Sequence, residues 1–275
     1  MAEKAFDVIA LGELLVDFTE NGLSGQGNPL FEANPGGAPC NVLAMLKKLP
    51  DGDRDFSFYR NPGADMALTE EEVPEALLAR CRAFHFGSLS MTHEGVRRAT
   101  RRAVSLAKAG GALLSFDPNL RPPLWADLEE ARAQIAWGLG QCGVLKIADN
   151  ELAFMTGETD FDRGAAILRA RFPNIRLCCV TAGPEGSYAY YEDKRVYVPA
   201  CRLGGTVETT GAGDTFCACA LHFALERGLE GLSEEELRAM LRFAHAAAYL
   251  VTTRKGAIRS MPERAEVEAL LDRAF

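Results

Sequence analysis

Long apolar runs are missing from this chain. None approaches the roughly 18 residues needed to cross a bilayer, and the run Val8–Leu11 is soon followed by Glu13, so it reads as a buried strand. The opening Met1–Phe6 lacks the layout of an export signal. Paired cysteines are missing too. The eight, Cys40, Cys81, Cys142, Cys178, Cys179, Cys201, Cys217 and Cys219, contain no C-x-x-C, and several lie in apolar stretches such as Leu177–Val180. They read as buried, reduced thiols of a cytoplasmic protein, which argues against a zinc site. Positive charge is in deficit, 30 Lys and Arg against 38 Asp and Glu, a formal net charge of -8. That balance gives no electrostatic reason to bind nucleic acid. There is no G-x-x-x-x-G-K-[ST] phosphate loop, no H-E-x-x-H, no repeat and no low-complexity tract. The four histidines are scattered and read as packing or surface residues. Gly138-Leu139-Gly140-Gln141-Cys142-Gly143 matches G-x-G-x-x-G but precedes a strand, the wrong side for a dinucleotide fingerprint.

What is present is alternation. Strand-like runs at Phe6–Leu11, Ala83–Phe86, Ala112–Phe116, Val144–Ile147 and Leu177–Thr181 are interleaved with helical patterns at Pro39–Leu49, His93–Ala109, Leu128–Leu139, Asn150–Met155 and Arg163–Arg171. Further strands are expected at Asp55–Arg60, Tyr188–Tyr191 and Arg195–Val198, and two helices, Asp214–Glu226 and Glu234–Val251, close the chain. This order predicts an α/β fold: a mostly parallel sheet with helices on both faces, in one domain over residues 1–275. Ligands of such sheets lie beyond the carboxyl ends of the strands.

The sharpest segment is Thr209-Thr210-Gly211-Ala212-Gly213-Asp214-Thr215-Phe216, which runs directly into an apolar helix. Small residues at a helix start expose backbone N–H groups and the positive end of the helix dipole to an anion. Asp214 would repel a phosphate unless it takes a proton, as the base in phosphoryl transfer does. The same residue would serve equally as an N-cap. Asn34-Pro35-Gly36-Gly37-Ala38-Pro39-Cys40-Asn41 pairs two glycines with a helix start, and Asn41 offers both a donor and an acceptor, suited to sugar hydroxyls.

Together these two strings resemble the C-terminal and N-terminal motifs of the ribokinase/PfkB carbohydrate kinases, in their fructokinase form. The resemblance covers nearly the whole chain and implies a ribokinase-like three-layer fold. It makes Asp214 the base that deprotonates a sugar hydroxyl, and Gly211, Ala212 and Gly213 the anion hole for the transferred phosphoryl group. Asp17, Gly36, Gly37 and Asn41 would touch the sugar, joined by Arg60 from Phe58-Tyr59-Arg60-Asn61-Pro62-Gly63-Ala64-Asp65. In Asp117-Pro118-Asn119-Leu120-Arg121 the likeness puts Asp117, Asn119 and Arg121 at the edge of the site, with Arg121 near the transferring phosphate. Lys146, Thr181, Gly183, Gly186 and His245 would serve ATP, although the family more often carries Asn where His245 stands. Glu151 would organise magnesium through water. Its usual companion Asn is replaced by Ala148. Glu208, where the family often has Asp, and Ser260 are candidates for a potassium site.

The resemblance implies ATP, Mg2+ and a small sugar as ligands, and makes a homodimer a hypothesis. It also exposes a departure. Relatives carry several dozen further residues between the helix ending at Leu49 and Asp55, including much of a β lid; here the lid is reduced to strands around residues 13–34 and 51–62. Either the chain is genuinely shortened there or residues are left out of the sequence. The expected reaction is fructose phosphorylation at the 6-position. The alternatives are 2-keto-3-deoxygluconate, ribose or a nucleoside as acceptor, or a sugar-binding protein that kept the fold and lost turnover.

Overall fold

The computed structural model describes residues 4–49 and 64–275. The chain enters as β1 (Phe6–Leu11), then forms a hairpin of β2 (Leu15–Leu23) and β3 (Pro29–Gly36), then α1 (Ala38–Lys48). Short α2 (Ala64–Ala67) and α3 (Glu75–Leu78) lead to β4 (Cys81–Gly87), α4 (Glu94–Ala109), β5 (Leu113–Asp117), α5 (Leu128–Leu139) and β6 (Val144–Ala148). There follow α6 (Asp149–Thr156), α7 (Phe161–Arg171), β7 (Leu177–Thr181), β8 (Ser187–Tyr191) and β9 (Lys194–Val198). Helices α8 (Ala212–Arg227), α9 (Glu234–Thr252) and α10 (Arg264–Ala274) end the chain.

Seven strands form one sheet in the order β1-β4-β5-β6-β7-β8-β9, and among the described residues β2 pairs only with β3. The first five strands of the large sheet run parallel. The last two are antiparallel, because β7, β8 and β9 are joined by short turns rather than helical crossovers. Helices cover both faces. Helices α1, α8, α9 and α10 share one apolar core with the sheet, and α4, α5, α6 and α7 share the other. This is the three-layer α/β arrangement expected.

Successive strand residues point to opposite faces. Phe84 and Phe86 of β4, Phe116 of β5, and Leu145 and Ile147 of β6 therefore enter the core under α4–α7. Each such buried side chain contributes about 1.5–3 kcal/mol. Gly138, the first glycine of the discarded G-x-G-x-x-G string, packs on the Phe116 ring; a Cβ there would lie 2.6 Å from Cζ. The alternate residues, His85, Ser115, Asp117 and Lys146, are buried polar groups. By the same alternation they fall on the face covered by α1 and α8. A polar stripe under the start of α8 is what a packed sheet would avoid unless it carries chemistry.

The strands expected around residues 13–34 form the β2–β3 hairpin. The strand expected at Asp55–Arg60, the second lid segment and Arg60 itself lie outside the described residues. At the far end the chain closes with three helices rather than two. Helix α10 opens on a capping box between Glu263 and Glu266 that the sequence reading passed over.

Candidate active site

Helix α8 begins beside the polar stripe. Its N-cap, Gly211, has φ +81°, and a Cβ there would meet Ala257 Cβ at 3.0 Å. The hydroxyl of Thr215 donates to Gly211 O at 2.7 Å and fixes the first turn. That turn contains Ala212, Gly213 and Asp214, whose N–H groups are the ones a helix leaves without intrahelical partners. Gly213 sits directly over the Lys146 ammonium; a Cβ would lie 3.2 Å from Nζ. The segment read as an anion hole is therefore a helix start with the Lys146 ammonium beneath it.

Lys146 is paired with Asp117 at 3.0 Å, and both are buried. Burial works against the Lys146 charge, but Asp117 and Glu151 outweigh it and hold the ammonium well above its ordinary range. Lys146 thus stands in an ion pair directly below the helix start. Glu151 is buried as well, which raises its proton affinity while Lys146 opposes the rise. Its carboxylate accepts from Leu120 N at 2.7 Å and from Ala148 N at 2.9 Å, tying the loop after β5 to the start of α6.

Asp214 Oδ2 accepts from Asn41 Nδ2 at 2.7 Å, across 173 residues of chain. Burial is the main reason its pKa is pushed up to about 7; Asn41 and Lys146 act against the rise, and Asp117 and Glu13 add to it. Such a carboxylate changes protonation in the neutral range, which suits a general base. The other amide atom, Asn41 Oδ1, is buried and has no hydrogen-bond partner. A buried acceptor of that kind is costly unless a ligand hydroxyl meets it.

Asp17 and Gly36 lie on the same face of the hairpin, and a Cβ on Gly36 would collide with the Asp17 carboxylate. Burial raises the Asp17 pKa, and the nearby Glu208 adds to the effect. Gly37 has φ +116° and lies against Glu13 O, where no side chain fits. Lys255 Nζ donates to Asn21 Oδ1 at 2.9 Å, and a Cβ on Gly256 would come within 2.9 Å of Asn34 Oδ1, so the hairpin leans on the turn that also abuts Gly211. The structure thus sets Gly36 beside Asp17, Gly37 against Glu13, and Asn41 on Asp214.

Glu208 accepts from Thr210 Oγ1 at 2.5 Å and from Gly256 N at 3.0 Å. Ser260 Oγ donates to the carbonyls of Gly256 and Ala257. The two residues proposed for a monovalent cation are brought to one turn, and both are already bonded within it. After β5, Asn119 takes φ +46° while its N–H donates to Asp117 Oδ1 at 3.2 Å, and Arg121 is exposed and donates to Leu120 O at 3.2 Å. Gly183 (φ +50°) opens on free space after Thr181, whereas Gly186 (φ +120°) is required by its collision course with Val198 O. His245 is buried, 2.8 Å from Ser187 Oγ and edge-on to Phe216. Burial pushes its pKa down to about 4, so it is a neutral core residue bonded to its own sheet rather than an open contact for adenine.

Glu13 was not singled out from the sequence. It is buried, and its carboxylate accepts from Ala38 N at 2.8 Å. An acid after a strand is too common to signal this; only the fold places it at the start of α1.

A model of the pfkB family of carbohydrate kinases matches residues 48–264. Fructokinase-1 of Zea mays is 35% identical over 318 aligned positions, which cover 97% of this chain and 98% of that protein. The alignment is longer than the 275 residues here, so the relative carries internal segments that this chain lacks. A crystal structure of a fructokinase with bound ATP from Xylella fastidiosa superposes with a TM-score of 0.82 at 25% identity, over 98% of this chain and 99% of that one. A putative ribokinase II from E. coli in complex with ATP and Mg2+ shares the fold, with a TM-score of 0.80 at 22% identity, over 98% of this chain and 99% of that one.

Proposed function

The chain belongs to the pfkB family of carbohydrate kinases, and on that premise we propose that it transfers the γ-phosphoryl group of ATP to fructose, giving fructose 6-phosphate and ADP. The observation that carries this reading is the Asp214 carboxylate at the start of α8, held by Asn41 beside Gly211–Gly213. Asp214 takes the proton of the attacking hydroxyl, the hydroxyl oxygen bonds to the γ-phosphorus, and the bond to the bridging oxygen of ADP breaks. The α8 N–H groups and the Lys146 charge beneath Gly213 stabilise the negative charge on the transferring group. Arg121, exposed and donating one N–H to Leu120 O, keeps other donors for phosphate oxygens. Asn41 Oδ1 accepts a sugar hydroxyl, which satisfies its buried lone pair. Asp17 accepts another from the hairpin side.

Among the described residues there is no cluster of three or more His, Cys, Asp or Glu that would hold a metal by itself. The acids present suit Mg2+ carried in by ATP, with Glu151 orienting its water. That ion neutralises phosphate charge when bound. A monovalent cation would find Glu208 and Ser260 at one turn, where their oxygens keep lone pairs beyond the bonds they make there. The eight free cysteines, all but Cys40 buried, suit a reducing, cytoplasmic setting. Among the described residues no helix is long and apolar enough to cross a membrane. On the hairpin, Val16, Phe18 and Phe31 share one exposed apolar face, which supports pairing of two copies through the lid. Light scattering at the mass of one subunit would exclude that pairing.

The test is coupled ADP release with Mg2+ and ATP across fructose, ribose, 2-keto-3-deoxygluconate and adenosine, with Asp214→Asn alongside. Turnover of fructose that collapses in the variant is expected. Preference for another acceptor would keep the chemistry and change the substrate. Turnover of none would leave a sugar-binding protein on this fold.

A further inference from the structure

The turn between β1 and β2 is interlocked with the start of α1. A Cβ on Gly12 would collide with the Pro39 ring, and one on Gly37 would collide with Glu13 O. Cys40 Sγ donates to the same carbonyl at 3.3 Å. The Glu13 carboxylate completes the join by accepting the Ala38 N–H at 2.8 Å, one of the N–H groups that α1 cannot satisfy internally. A single turn further along α1, Asn41 bonds Asp214.

We propose that Glu13 is a positioning residue for phosphoryl transfer: it fixes the first turn of α1, and through Asn41 it fixes the orientation of the Asp214 carboxylate and of the sugar. The inference rests on Asp214 being the base and Asn41 a sugar contact, as argued above. Glu13 also acts on Asp214 directly, through its charge. The groups that face Asp214 are Asn41 from α1, Asp117 from β5, Lys146 from β6 and Glu13 from the β1–β2 turn, with Cys217 on its own helix. Glu13 is one of two acids in that set, and its negative charge makes Asp214 hold its proton more tightly.

Two substitutions separate position from charge. Glu13→Gln keeps an oxygen that can accept the Ala38 N–H but removes the charge; Glu13→Ala removes both. The measurements are kcat and KM for sugar and ATP by coupled ADP release across pH, with wild type and Asp214→Asn run in parallel. Glu13→Ala is expected to raise the sugar KM about tenfold, the scale of one lost charge-assisted hydrogen bond, and to leave the ATP KM unchanged. Glu13→Gln is expected to keep the sugar KM within about twofold of wild type, while the acid limb of kcat moves to lower pH. In the double variant Glu13→Ala/Asn41→Leu, the sugar KM should match that of Asn41→Leu alone, since the effect passes through Asn41.

An unchanged sugar KM in Glu13→Ala, failure of Glu13→Gln to restore it, or additive losses in the double variant would each overturn the proposal. Should Glu13→Ala not fold, Glu13→Asp decides, since it keeps the charge but its shorter side chain withdraws the carboxylate from the Ala38 N–H: a raised sugar KM with an unchanged ATP KM supports the role, and an unchanged sugar KM overturns it. Wild type with no sugar-dependent turnover, or an Asp214→Asn variant as active as wild type, overturns the kinase reading of the site as well. Either outcome is visible in the controls.

Discussion

Replacing Asn41 with Leu tests how the base is tuned. The Asn41 amide donates to Asp214 Oδ2 at 2.7 Å, within the range of charge-assisted bonds, and this contact stabilises the ionised carboxylate. Such a bond is worth about 1.5–3 kcal/mol, and one pKa unit is about 1.4 kcal/mol. Losing it should therefore raise the Asp214 pKa from about 7 by roughly one to two units. At pH 7 the ionised fraction falls from about half to a tenth or less, so kcat drops about fivefold or more. The loss should vanish above the new midpoint. The assay is coupled ADP release at saturating sugar and ATP from pH 5.5 to 10. Stability makes a second reading of the same variant. Leucine removes the unpartnered Asn41 Oδ1 along with the hydrogen bond, and these opposing effects, each about 1–3 kcal/mol, should leave the unfolding free energy within about 1 kcal/mol of wild type. An acid limb that stays in place or moves to lower pH would refute the tuning argument. A stability loss above about 3 kcal/mol would show that Oδ1 has a partner.

Asp214→Asn should lower kcat by at least about a hundredfold while leaving sugar binding measurable by calorimetry. Gly213→Ala places a methyl in the anion hole 3.2 Å from Lys146 Nζ, so kcat should fall about ten- to a hundredfold with a smaller change in KM. Lys146→Met strands the buried Asp117 charge and should cost about 3–5 kcal/mol in urea unfolding. His85 and His245 both have pKa values pushed down to about 4 by burial, from 6.5. The unfolded chain then binds protons that the folded chain refuses, so their contribution is whole above pH 6.5 and lost as pH falls towards 4. Asp214 has the opposite sign, its raised pKa favouring the folded state below pH 7, and offsets part of that loss. A net fall in urea stability from pH 6.5 to 4.5 is the expected result; constant stability would contradict the burial of the two imidazoles.

The fold was legible where a local pattern decides the outcome. Alternating runs gave the parallel strands, and Gly211–Asp214 announced a helix start because small residues before an apolar helix have few other uses. The antiparallel β8 and β9 were visible as strands, but their direction depends on turn length rather than composition. Helix α10 is charged and modestly amphipathic, so its pattern was weak beside that of α9. The placement of Asp214, Asn41 and the paired glycines at helix starts could be read off. The roles of Lys146 and His245 could not, because each depends on partners distant in sequence: Asp117, 29 residues away, and Ser187, 58 residues away. Glu13 was invisible for the same reason. Its importance comes from Ala38, which only the β2–β3 excursion brings back to the end of β1.

That excursion has a consequence for how the molecule breathes. Among the described residues the hairpin shares no ladder with the seven-stranded sheet, so its amides are not protected by the cooperative unit that contains β4 to β7. Hydrogen exchange should divide the chain in two, with β2 and β3 exchanging through local opening at low free energy and the central strands only through global unfolding. Asp17, Asn34 and Gly36 belong to the first population, Asp117, Lys146 and Asp214 to the second. Acceptor and phosphate would then meet at a boundary between a loosely held wall and a rigid one, and a bound sugar should slow exchange in the hairpin far more than in the sheet.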